Sequence, residues 1–206
     1  MKRMAVAAGV VWGVAVSGYG AGFGLPVGDT AYPVEQEFRR GSAYVAAGSD
    51  LSTYGARLSR GLVEGLTVFG DLGIVDVDDV DYGPGVQLGA VGAVPIELPV
   101  DVAGRGTVNV CTFDEGDMFG GTLALLVSRQ LSALPEFSLY VGAGAAYTEF
   151  DSDGVKEDGT PIGPDGKTEA LVSGGALCDF DENWSAFAEF DYVEDPFYAG
   201  GLQFRW

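Results

Sequence analysis

The sequence predicts an all-β fold: a closed antiparallel up-and-down transmembrane β-barrel of ten strands, with eight as the alternative. Three observations lead there. Segments of about ten residues alternate apolar with small or polar side chains, the period of a strand with two unlike faces. The connectors between them are short on one side and acidic, mostly longer, on the other. The final segment, "FYAGGLQFRW", keeps its strand period to the terminal Trp206, where chain ends are ordinarily polar and frayed.

The chain opens differently. Lys2 and Arg3 precede an apolar stretch from Met4 to Val16, and small residues follow. This is the layout of a secretory signal peptide, expected over residues 1–21. An uncleaved membrane helix is the alternative, since the uncharged run continues to Gly28. Its glycines weaken helix propensity after Val16. No cysteine follows the apolar stretch, so a lipoprotein anchor is not indicated. Residues 22–40 are expected to form a periplasmic lead-in, and residues 41–206 the barrel.

The barrel segments follow in order. Gly41 to Ser49 is weakly strand-like. Ser52 to Arg60 sets Tyr54, Ala56 and Leu58 against Gly55, Arg57 and Ser59. Gly65 to Val75 sets Leu66, Val68, Leu72 and Ile74 against Thr67, Phe69, Asp71 and Gly73. Gly85 to Val94 sets Val86, Leu88 and Ala90 against Gln87, Gly89 and Val91. Pro99 to Phe113 places Val100, Val102, Val108 and Val110 opposite Asp101, Arg105, Thr107 and Asn109. Met118 to Ser128, Phe137 to Phe150, Glu169 to Phe180, Trp184 to Val193 and Phe197 to Trp206 complete the ten. Eight strands remain the alternative because the first two segments are the weakest. The connectors "GLVE", "PIEL", "QLSALPE" and "DEN" read as turns; "DVDDVDYGP", "DEGD", "DSDGVKEDGTPIGPDGKT" and "EDP" read as acidic loops. Aromatic residues lie near segment ends, as in the interfacial girdles of a membrane barrel.

Composition narrows the function. The 206 residues include 33 glycines, no histidine and a formal net charge of -19. A chain this acidic lacks the basic patch that nucleic acid requires. If the apolar face meets lipid, the lumen holds Arg57, Asp71, Gln87, Asp101, Arg105, Asn109, Glu189, Asp191, Gln203 and Arg205. The expected arrangement is a packed polar interior of paired charges, because eight to ten strands leave little bore; a narrow conducting lumen is the alternative. Glu189 and Asp191, two apart on one strand, are expected to pair with Arg57, Arg105 or Arg205. The acidic residues Asp76, Asp78, Asp79, Asp81, Asp151 and Asp153 crowd two loops. They suit Ca²⁺ by ligand type, but "DSDG" followed by "KEDG" falls short of an EF-hand loop; a solvated acidic surface is the plainer expectation. No other cofactor is indicated. Cys111 and Cys178 fall at opposite strand ends, beyond the roughly 7 Å reach of a disulfide, so two free thiols are expected.

An export signal, alternating strands and a terminal aromatic strand resemble the small outer-membrane β-barrel proteins of Gram-negative bacteria. The nearest analogies are the membrane domain of the outer membrane protein A type and the opacity-type surface barrels, with no subfamily identified. The resemblance covers about Gly41 to Trp206. It implies that Tyr198, Leu202, Phe204 and Trp206 form the assembly signal read by the barrel-insertion machinery. It also implies a monomer in the outer membrane, in contact with lipid and lipopolysaccharide. Barrel enzymes of such membranes mostly use a histidine base, which this chain lacks, so no enzymatic activity is expected. The expected role is structural or surface recognition. A small porin-like channel is the alternative, and a soluble exported barrel binding an apolar ligand is the second.

Overall fold

The computed structural model describes residues 27–32, 35–49, 51–77, 81–114, 116–152 and 165–206. The signal peptide expected over residues 1–21 lies outside them. Ten strands form: β1 (Arg39–Ala47), β2 (Leu51–Val63), β3 (Leu66–Val77), β4 (Asp81–Val94) and β5 (Asp101–Phe113), then β6 (Gly116–Leu131), β7 (Leu134–Ser152), β8 (Asp165–Asp179), β9 (Trp184–Val193) and β10 (Asp195–Arg205). Each pairs antiparallel with its sequence neighbour, and β1 pairs β10, so the sheet closes on itself. The closing register runs from Arg40↔Arg205 to Ala47↔Tyr198. Closure satisfies every edge, which hydrocarbon requires because it offers no hydrogen bonds.

The wall is inside out relative to a soluble barrel. Leu58, Leu72 and Leu123 are 68%, 67% and 72% exposed, while Arg57 and Arg105 are each 1% exposed. That distribution removes the soluble alternative, in which the apolar face would point inward. Outward aromatics gather at two levels. Near the turns, Trp184 and Phe204 have centroids 4.9 Å apart, and Phe204 stacks on Trp206 at 6.0 Å. Toward the loops, Phe190 lies 5.4 Å from Tyr198. Two such levels are the girdles of a bilayer-spanning wall.

The loop end departs from expectation. The strands run further than the alternation suggested, and they take in residues at the ends of the acidic connectors. "DVDDVDYGP" leaves only residues 78–80 between β3 and β4, and β9 passes to β10 through Glu194 alone. β7 has 19 residues, where about 9–11 cross a bilayer. The surplus projects beyond the membrane, and there the faces exchange character. Asp76 and Asp151 point out and are exposed, while Val75, Val77 and Phe150 point in and are buried. Outside lipid the wall obeys the ordinary rule, with polar groups toward water.

At the other end the β8–β9 turn is stitched to the last strand. Asp181 accepts from the backbone N–H groups of Asn183 (2.7 Å) and Trp184 (2.8 Å), which holds its carboxyl below the usual carboxylate range. Asn183 donates from Nδ2 to the Arg205 carbonyl at 2.8 Å. Cys111 is buried on the lumen side near the loop end; Cys178, in register with Phe137 and Ala186, lies near the turn end, and both thiols are free. Unfolded without reductant, the protein should take up two equivalents of maleimide; a Cys111–Cys178 linked peptide in the mass spectrum would overturn this topology.

Candidate functional site

Strand period brings most of the expected lumen residues together. Arg57, Asp71, Gln87, Arg105, Asn109, Glu189, Asp191 and Gln203 all face inward and are buried. Register then sets neighbours: Arg57 opposes Asp71, Asp71 opposes Gln87, and Gln87 opposes Asn109. Arg57 donates through a two-pronged fork, Nε to Asp71 Oδ1 at 2.7 Å and Nη2 to Oδ2 at 2.8 Å. Gln87 Nε2 adds 2.5 Å to Oδ2. Planar guanidinium suits such a carboxylate, and it also stacks on rings. The Phe69 ring lies 4.1 Å from Arg57 and 5.3 Å from Arg105.

That ring lies where it does because Gly89 is bare. A Cβ on Gly89 would come within 2.4 Å of Phe69 Cζ and 2.9 Å of the Gly106 carbonyl. Gly89→Ala is therefore expected to push Phe69 off the arginines at about 1–3 kcal/mol, read as a lower denaturant midpoint. An unchanged midpoint would contradict this packing.

The organising residue was not among those expected. Residues 27–32, part of the stretch expected as a periplasmic lead-in, enter the lumen. Asp29 Oδ2 accepts from Arg57 Nη1 at 2.7 Å and Arg105 Nε at 3.0 Å, and Oδ1 accepts from Arg40 Nη2 at 3.2 Å. Barrel side chains bind three backbone N–H groups of this segment. The N–H groups of Val27 and Gly28 donate to Glu189 Oε1 and Oε2 at 2.7 and 2.9 Å, and the N–H of Ala31 to Ser128 Oγ at 2.7 Å. Tyr140 also donates its hydroxyl to Glu189 Oε2, at 2.5 Å. Across the lumen, Arg105 Nη1 donates to Thr122 Oγ1 at 3.0 Å, and the Thr107 and Thr122 hydroxyls share a hydrogen bond of 2.8 Å.

Several assignments change. Glu189 makes its hydrogen bonds to the threaded segment and Tyr140 rather than to an arginine, because backbone N–H groups reach it first. Asp191 is buried against Glu189. Asp101 and Arg205 sit half-buried at the turn-end mouth, where Arg205 pairs with Asp179. The mouth opens into a recess of about 610 Å³ beside Tyr32, Arg40 and Gln203. The lumen is also not polar throughout. Its loop-end half is an apolar cluster that includes Leu51, Val75, Val77, Cys111, Met118, Phe150, Val193 and Phe197. The exchange of faces beyond the bilayer puts those side chains inside.

The four residues expected as the assembly signal, Tyr198, Leu202, Phe204 and Trp206, all point outward. Of the acidic loop set, Asp78, Asp79 and Asp153 lie outside the described residues. Asp76 ends on β3 and Asp151 on β7, both exposed, and Asp81 opens β4. Among the described residues no three His, Cys, Asp or Glu side chains converge as metal ligands.

The architecture is that of an outer-membrane β-barrel: a closed even-stranded wall, apolar outside at bilayer depth and polar within. No protein-family model matches the chain, and no curated protein matches it. Solved structures similar to it include the N-terminal β-barrel domain of Pseudomonas aeruginosa OprF, at 18% identity over 84% of this chain and 100% of that one, with a TM-score of 0.42. The KdgM porin is similar at 10% identity over 80% and 98%, TM-score 0.44. Ail, the attachment invasion locus protein of Yersinia pestis, solved with the heparin analogue sucrose octasulfate, is similar at 13% over 84% and 100%, TM-score 0.42. Identities this low are likenesses of fold alone.

Proposed function

We propose that this protein is a plugged, non-conducting structural barrel of the outer membrane of a Gram-negative bacterium. One observation carries the reading: the lumen is filled by the chain's own residues 27–32, with Asp29 gripped by Arg40, Arg57 and Arg105. The apolar cluster above it supports closure a second time, since narrow apolar constrictions exclude water and ions. The barrel works as a monomer. Its terminal strand is recognised by the insertion machinery, and its acidic loop end meets lipopolysaccharide through bridging divalent ions. No reaction is assigned to it: the chain lacks histidine, and the inward carboxylates are engaged by arginines and backbone or buried away from solvent.

The test is a planar lipid bilayer. Purified protein that shifts mobility on boiling, and so is folded, should give no unitary current steps. Reproducible steps would replace this reading with the porin-like channel.

A further inference from the structure

Arg39 and Arg60 face each other directly across β1 and β2. Both point outward and are exposed, and neither makes an ion pair among the described residues. Like charges placed directly opposite on one face of a sheet repel. In a chain with only 11 basic residues against 30 acidic ones, setting two arginines against each other calls for an anion between them. The pair stands at the turn end, where the Trp206 N–H donates to the Arg39 carbonyl at 3.3 Å.

An apolar groove of about 500 Å³ leads away from the two guanidinium groups toward mid-bilayer, between Leu58 and Leu88 and past Val68 and Trp206. Its floor is low because Gly70 carries no side chain: a Cβ there would sit 3.4 Å from Leu88 Cδ2. Trp206 closes the near end, its ring 3.3 Å from where a Gly41 Cβ would be. Two cations at the membrane interface over a chain-wide apolar channel complement one molecule: a phosphate diester with a fatty acyl chain.

We infer that Arg39, Arg60 and this groove form a binding site for one anionic phospholipid of the turn-side leaflet. The phosphate lies between the guanidinium groups, and an acyl chain lies over Gly70 between Leu58 and Leu88. The inference rests on the membrane-barrel reading, because the groove must face lipid.

Native mass spectrometry of the detergent-purified barrel, titrated with dioleoyl-phosphatidylglycerol, tests it. Wild type should retain one lipid per barrel. Dioleoyl-glycerol, which has the chains without the phosphate, should not be retained. Arg39→Gln and Arg60→Gln should each weaken binding about fivefold, and the double variant about thirtyfold. Arg129→Gln, which removes an exposed arginine of the same rim, should bind as wild type. Equal retention by the double variant would overturn the site, as would displacement by equimolar inorganic phosphate, which would make it a simple anion site. Every variant is first checked for the mobility shift on boiling. A wild-type barrel that shows no shift would fail the membrane reading instead, so the two failures are distinguishable.

Discussion

Replacing Arg57 with methionine is expected to lower stability by about 3–5 kcal/mol, the largest loss from any single substitution in this chain. Arg57 is fully buried and holds two carboxylates at once, Asp71 through its fork and Asp29 through Nη1. Methionine keeps much of the volume and removes the charge. Asp71 then retains Gln87 and Asp29 retains Arg105 and Arg40, but neither carboxylate keeps its closest cation. Taking one partner from a buried pair leaves an uncompensated charge, which costs far more than the pair itself contributed. Urea unfolding followed by the mobility shift would read the loss. The double variant Arg57→Met/Asp71→Asn should recover part of it, because it removes one orphaned charge. A single-variant loss under about 1 kcal/mol would mean that water reaches the pair and the lumen is not packed.

Deleting residues 22–32 behind the signal segment is expected to leave the barrel silent in a planar bilayer, although it empties the turn-end half of the lumen. The loop-end half is also closed by Met118, Phe150 and Phe197 among others, a cluster that Val27 of the threaded segment joins. Ion current should appear only when the deletion is combined with alanine at those three positions, because both constrictions lie in series. The deletion alone should cost several kcal/mol, since Arg57 and Arg105 lose Asp29 while buried. Current steps from the deletion alone would show that the threaded segment is the sole closure. The protein would then be a gated channel rather than a structural wall.

The wall was legible because its period is two and lipid enforces that period. A one-residue slip would carry Arg57 or Glu189 into hydrocarbon, so faces read from "STYGARLSR" and "WSAFAEFDYV" hold in the folded barrel. The turn ends fall within three residues of expectation, although β2, β6 and β7 run further there too and leave only Ser132 and Ala133 of "QLSALPE" between β6 and β7. The loop ends were placed short, because the alternation continues there with its faces exchanged: "IVDV" reads apolar-out before Val75 and apolar-in from it onward. The threaded segment was illegible as structure. Six residues of irregular chain have no period, and their contacts come from strands 11 to 175 residues away, from Arg40 to Gln203. One trace was present. Asp29 is the only charged residue between Arg3 and Glu35, and an isolated carboxylate in an apolar stretch is a candidate counter-ion for inward arginines. The pairing of Glu189 required knowing that backbone N–H groups would arrive beside it.

The exchange of faces along the strands has a mechanical meaning. On each long hairpin there is a level above which the outer surface wants water and below which it wants oil. Moving the barrel along the membrane normal by a few residues' rise would either sink Asp76 and Asp151 into hydrocarbon or lift Leu72 and Val141 out of it. Both displacements are opposed, one by ion desolvation and the other by the hydrophobic effect. The chain therefore carries its own waterline, as a hull does. The bilayer around it is held at a set height by a property distributed over several strands, with no anchor at any single point.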